Sequence, residues 1–82
     1  MRNYIATFFS HYDALAFFNT MKEKGLAAKL APVPRKVSAS CGTCVFFDTD
    51  SITDFPGYEI EAIYIETDGK FSEVWISSND YK

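Results

Sequence analysis

Apolar residues run almost without interruption through residues 3–9, where Tyr4, Ile5, Ala6, Phe8 and Phe9 fall on both alternating sides of the chain. A strand with one wet face would alternate apolar with polar, so this run predicts an interior strand. The pattern changes at Ser10, which with Asp13 three positions on makes a capping box for a helix start. Ala14, Phe17, Phe18 and Met21 then recur at helical spacing and predict one apolar stripe. Lys22 and Lys24 suit the negative end of the helix dipole, and Gly25 supplies the stop.

Residues 27–33 predict a second strand. Pro32 and Pro34 each lack an N–H, so this strand either ends there or lies at a sheet edge. Val45, Phe46 and Phe47 predict a short third strand, and residues 48–57 are polar and turn-rich, with room for one helical turn. Residues 58–67 and 70–77 flank Asp68 and Gly69, a pair favoured in two-residue hairpin turns. With that turn, Thr67 pairs with Lys70 and Ile63 comes opposite Val74. Ile63, Ile65, Val74 and Ile76 would then share one face, and Ile60, Ala62, Tyr64, Phe71 and Trp75 the other.

Both faces of the predicted sheet are thus apolar, yet the sequence offers one strong helix. The second face calls for cover from residues 48–57 and the C-terminus, or from another copy of the chain, so a homo-oligomer is expected. The order β-α-β-β-(turn)-β-β predicts a small α+β fold. It is a single-layer, mainly antiparallel sheet packed by one main helix, related to ferredoxin-like folds.

Composition narrows the class. The 82 residues make a single domain, 1–82, with 48% hydrophobic and 17% aromatic residues, a high aromatic share for a small core. No apolar run approaches the ~20 residues a membrane helix needs. The opening residues lack the basic-then-apolar pattern of a signal peptide, so a cytoplasmic location is expected. The net charge of −3 is uneven. Residues 1–47 hold six basic against two acidic side chains, whereas residues 48–82 hold two against nine. The basic part is too sparse to track a phosphate backbone and the acidic part would repel one, which argues against nucleic acid.

Candidate chemistry gathers in one segment. Cys41 and Cys44, the two cysteines, follow Arg35, Lys36, Ser38 and Ser40, with Gly42 between them. The thiolate is the reactive form of cysteine, and nearby positive charge and oriented hydrogen-bond donors favour it. Gly42 would let successive N–H groups point at an anion. Against this stands the reading of Cys41 as a small packed hydrophobe and Arg35 as surface charge. The C-x-x-C spacing also admits a redox pair. A thioredoxin fold does not follow, because strand rather than helix continues after Cys44, which itself reads as a core residue opening strand three. A closed zinc site wants four ligands, and one C-x-x-C with the single His11 supplies too few, unless two subunits share the site. No Ser–His–Asp arrangement or phosphate-binding glycine loop is present. Glu59, Glu61, Glu66 and Glu73 read as surface charge on a hairpin.

Pro32, Val33, Pro34 and Arg35, then Ser38, Ser40, Cys41 and Gly42, then Val45, Phe46 and Phe47, resemble the hallmark of a bacterial family described as "putative selenium/sulfur carrier protein-like". The opening strand from Tyr4 to Phe8 and the helix entered through Ser10, His11, Tyr12 and Asp13 match as well, so the resemblance covers residues 3–47. It implies that Cys41 is a carrier thiol with Arg35, Ser38, Ser40 and Gly42 around it. Arg35, Ser38 and Ser40 would stabilise the thiolate or persulfide. The implied partners are proteins that donate and accept sulfur or selenium, with no cofactor, and such a carrier turns over as a co-substrate rather than as an enzyme. Cys44 departs from the family pattern: a second thiol there could act as a resolving thiol, attacking a persulfide to leave a disulfide. The competing reading is an interaction module without chemistry, in which the aromatic sheet face mediates association.

Overall fold

The computed structural model describes residues 2–37, 39–50 and 60–76. Among them are five strands and one helix: β1 (Arg2–Phe8), α1 (His11–Glu23), β2 (Ala28–Pro32), β3 (Thr43–Thr49), β4 (Ile60–Thr67) and β5 (Lys70–Ile76). The sheet runs β2-β3-β1-β4-β5 with every neighbouring pair antiparallel. Its first four strands have the strand order of a ferredoxin-like sheet, and β5 extends it by one. The fold is therefore the small α+β arrangement expected. No helix among the described residues is long and apolar enough to cross a membrane.

Chain chemistry accounts for each element. β1 is central, and Tyr4 to Phe8 are all buried, which is why its apolar residues do not alternate. Ser10 caps α1, its hydroxyl oxygen accepting the Asp13 N–H at 3.2 Å. At the other end Gly25 adopts φ +79°, the Gly25 N–H bonds to the Lys22 carbonyl and the Leu26 N–H to the Met21 carbonyl. That is a Schellman ending, in which a left-handed residue satisfies the last free carbonyls. A Cβ at Gly25 would meet no neighbour within 4 Å, so only the dihedral opposes substitution. Gly25→Ala should therefore cost about 1 kcal/mol, read as a lowered urea midpoint at unchanged slope. An unchanged midpoint would mean that the turn does not hold the helix end.

Ala14, Phe17 and Met21 bury the helix against one face of the sheet, with Phe18 partly buried beside them. Phe17 lies between Phe8 and Phe47, ring centroids 5.3 Å from each, and Phe47 stacks on Tyr4 at 5.7 Å. Ala6, Val45, Ile60 and Ile63 complete this core. β2 lies at an edge and ends at Pro32, which pairs with Thr43 of β3, so the missing proline N–H costs the sheet no ladder bond.

Two expectations need correction. β3 is seven residues rather than three, because Thr43 and Cys44 pair with β2, and Asp48 and Thr49 pair with β1. A strand between two neighbours is held by backbone bonds that polar side chains do not weaken. In the β4–β5 hairpin, Asp68 (φ 53°) and Gly69 (φ 78°) form the turn and Thr67 faces Lys70, as expected. Ile63, however, pairs with Trp75 instead of Val74, because the register shifts between Ile63 and Tyr64 and leaves Val74 as the extra residue. A second shift, against β1, leaves Glu61 unpaired between Ile60 and Ala62. These two bulges move Ile60 and Trp75 to the helix side with Ile63. Thr7, Cys44 and Ala62 share the other face. The segments expected to cover that face, 48–57 and the C-terminus, lie largely outside the described residues, as do positions 58, 59 and 77 of the predicted hairpin strands.

Candidate functional site

β2 and β3 form a hairpin whose connection, residues 33–42, carries the candidate chemistry. Just beyond the last strand pair the Val33 N–H donates to the Gly42 carbonyl at 3.1 Å and closes the loop. The Val37 N–H donates to the Pro34 carbonyl at 3.0 Å, which makes a turn with Arg35 and Lys36 at its corners. Proline sets the backbone angle on entry, while Val37, 5% exposed, anchors the loop to the body. Arg35 and Lys36 are exposed, and among the described residues no hydrogen bond or ion pair joins either to Cys41. Ser38 lies outside the described residues.

The loop returns through Ser40 and Cys41 to the end of the sheet where β1 finishes and α1 begins. Cys41 is half-buried and packs against the helix-side core. Its thiol donates to the Thr43 carbonyl at 3.3 Å, a bond that only the S–H form makes. Thr43 Oγ1 is hydrogen-bonded to His11 Nδ1, which ties the start of β3 to the first residue of the helix. Gly42 is exposed and is not among the glycines with positive φ, and a Cβ there would meet open space. This conformation therefore does not demand glycine at that position.

Ser40 is placed by Glu61, one of the hairpin glutamates whose sequence context reads as surface charge. The Ser40 N–H donates to Glu61 Oε1 at 2.9 Å and its hydroxyl to Glu61 Oε2 at 2.6 Å. Both donors of Ser40 thus point to a carboxylate across the sheet end. Glu61 is the bulge residue of β4, and a glutamate on a hairpin carries no local sign of such a role.

Cys44 has a different environment. It is fully buried in β3, where its thiol donates to the Pro32 carbonyl at 3.7 Å. Burial first, and the neighbouring Cys41 second, push this thiol up to about 11. At neutral pH it holds its proton and is a poor nucleophile. Burial also raises the Tyr64 hydroxyl above its usual range, helped by the carboxylates of Glu73 and Glu61.

Both cysteines are free thiols. Among the described residues no three His, Cys, Asp or Glu side chains gather as a metal ion would require. A shallow groove lined by Asn3, Ala28, Lys29, Phe46 and Asp48 lies at the opposite end of the β1–β3 ladder, away from Cys41.

No curated protein and no solved structure matches the chain. The model of the family described as "Putative Se/S carrier protein-like" matches residues 3–65. The match takes in β1 through most of β4, including the cysteine loop and Glu61, and so extends beyond the segment that carried the resemblance. The chain belongs to this carrier-like family.

Proposed function

We propose that this protein accepts sulfur or selenium on Cys41 and relays it to a second protein. The observation that carries the reading is the division between its two thiols. Cys41 is half-buried in a loop at the end of the sheet, whereas Cys44 is enclosed in the core with its thiol held protonated. Membership of the carrier-like family supports the same reading.

In the sulfur case the Cys41 thiolate attacks the outer sulfur of a persulfide on the donor protein. The donor's S–S bond breaks, the donor cysteine leaves as its thiolate, and Cys41 becomes the persulfide. Discharge runs the same way: a nucleophile of the acceptor takes the outer sulfur and Cys41 leaves as thiolate. No net oxidation occurs in either step, and no cofactor is needed. The selenium case replaces the outer sulfur by selenium. A resolving attack by Cys44 would divert the sulfur and leave a disulfide, and the protonated, buried state of Cys44 opposes it. Arg35, exposed on its turn, would supply positive charge to the thiolate or persulfide when a partner engages the loop. Ser40 would have to leave Glu61 before donating to the sulfur.

Variants test the assignment. After incubation with a cysteine desulfurase and cysteine, Cys41→Ser should take up no sulfur while keeping the wild-type melting temperature. Cys44→Ser should still load. Sulfur uptake by folded Cys41→Ser at the wild-type level would sink the proposal.

A further inference from the structure

The two hydrogen bonds from Ser40 to Glu61 span 21 positions of sequence and join the residue next to Cys41 to a bulge in β4. Both carboxylate oxygens are used, one by the backbone N–H and one by the hydroxyl, so the bond pair fixes the orientation of the main chain as well as its position. On the other side of Cys41, the Thr43 carbonyl accepts the thiol proton. Cys41 is thus held from both flanks, half-buried against the core, with its sulfur facing an acceptor it must leave to react.

We infer that Glu61 is a positioning residue that latches the cysteine loop in a stowed state, and that releasing Ser40 from Glu61 presents Cys41 to a partner. The purpose rests on the carrier reading of Cys41; the latch itself is independent of it. A donor that engages Ser40, or competes for its N–H and hydroxyl with an anionic group of its own, would open the loop as it docks. The bulge gives Glu61 its place: without the extra residue, position 61 would sit in register against β1.

The test is the rate at which iodoacetamide alkylates Cys41 in the folded protein, paired with hydrogen exchange at the Ser40 amide. Glu61→Ala removes both acceptors and should speed alkylation by about fivefold or more, the factor given by one hydrogen bond of ordinary net worth, and should speed exchange at Ser40. Ser40→Ala keeps the carboxylate but loses the hydroxyl bond, and should give part of that gain. Glu61→Gln keeps an acceptor at the same reach and should fall between wild type and Glu61→Ala. The double variant Ser40→Ala, Glu61→Ala should be no faster than Glu61→Ala alone, since both act on one latch. Unchanged alkylation and Ser40 exchange in Glu61→Ala would overturn the inference. So would a gain in Glu61→Ala and Glu61→Gln alike with none in Ser40→Ala, because charge alone would then account for it. Should Glu61→Ala not fold, Ser40→Ala and Glu61→Gln decide by the same readouts. Alkylation needs no sulfur donor, so a failed latch shows here, whereas a failed carrier assignment shows only in sulfur uptake.

Discussion

Phe17→Ala should lower the stability of the domain by about 3–5 kcal/mol. Phe17 is 1% exposed, and its ring meets Phe8 of β1 and Phe47 of β3, so one side chain joins the helix to two strands. Truncation removes the transfer energy of the ring, leaves a cavity in a close-packed layer, and deletes two aromatic contacts worth about 0.5–1.5 kcal/mol each. A domain of this size has only about 5–15 kcal/mol in total, so the loss is a large fraction. The helix attaches mainly through Ala14, Phe17 and Met21, and no larger residue on that stripe compensates. Leu15→Ala, on the exposed side of the same helix, is the control and should change stability by no more than about 0.5 kcal/mol. Urea unfolding of both variants decides. A loss below about 1 kcal/mol for Phe17→Ala would mean that the aromatic layer is not the core of this fold.

Stability should also fall steeply as pH rises from 9 towards 11, and the Cys44 thiol is the cause. In the unfolded chain this thiol titrates at the ordinary 9.0, whereas burial and the neighbouring Cys41 hold it at about 11 in the fold. Between those values the unfolded state releases a proton that the folded state keeps, so rising pH favours unfolding. The contribution is fully present below pH 9 and is lost as pH passes through about 11. A shift of this size corresponds to about 3 kcal/mol. The quantity to measure is the difference between wild type and Cys44→Ala across this range. Tyr64, also raised, is common to both proteins and cancels. The wild-type curve should drop towards that of the variant as pH rises, and parallel curves would remove the basis for treating Cys44 as an enclosed, inert thiol. The same proton explains how a C-x-x-C spacing is compatible with carrying sulfur: the second thiol is held in the form that does not attack.

Features governed by nearest neighbours in the chain were legible from residues alone. The Ser10 cap, the Phe17 stripe, the Gly25 stop and the Asp68 and Gly69 turn each depend on backbone preferences over a few positions. The central place of β1 was legible too, because only a strand covered on both faces tolerates Tyr4, Ile5, Ala6 and Phe8 in near succession. The two bulges were not. Alternation across residues 58–67 assigns Ile60 and Ala62 to one face, and nothing local marks Glu61 as the residue that the β1 ladder skips. From that skipped residue comes the contact to Ser40, which depends on the packing of β4 against β1 and on the path of a loop 21 positions earlier. Cys41 stood out as a candidate through its neighbours in sequence, but the environment of Cys44 depends on pairing to β2 and on enclosure, which single-residue chemistry does not reveal.

Whether Cys41 carries the sulfur is decided by mass spectrometry of the wild-type protein under non-reducing conditions after exposure to a cysteine desulfurase and cysteine. One added sulfur atom is expected, located on the peptide that holds Cys41, cleared by reductant, and delivered without an intramolecular disulfide to Cys44. No adduct on folded protein, or an adduct on Cys44 in its place, would rule out Cys41 as the carrier thiol.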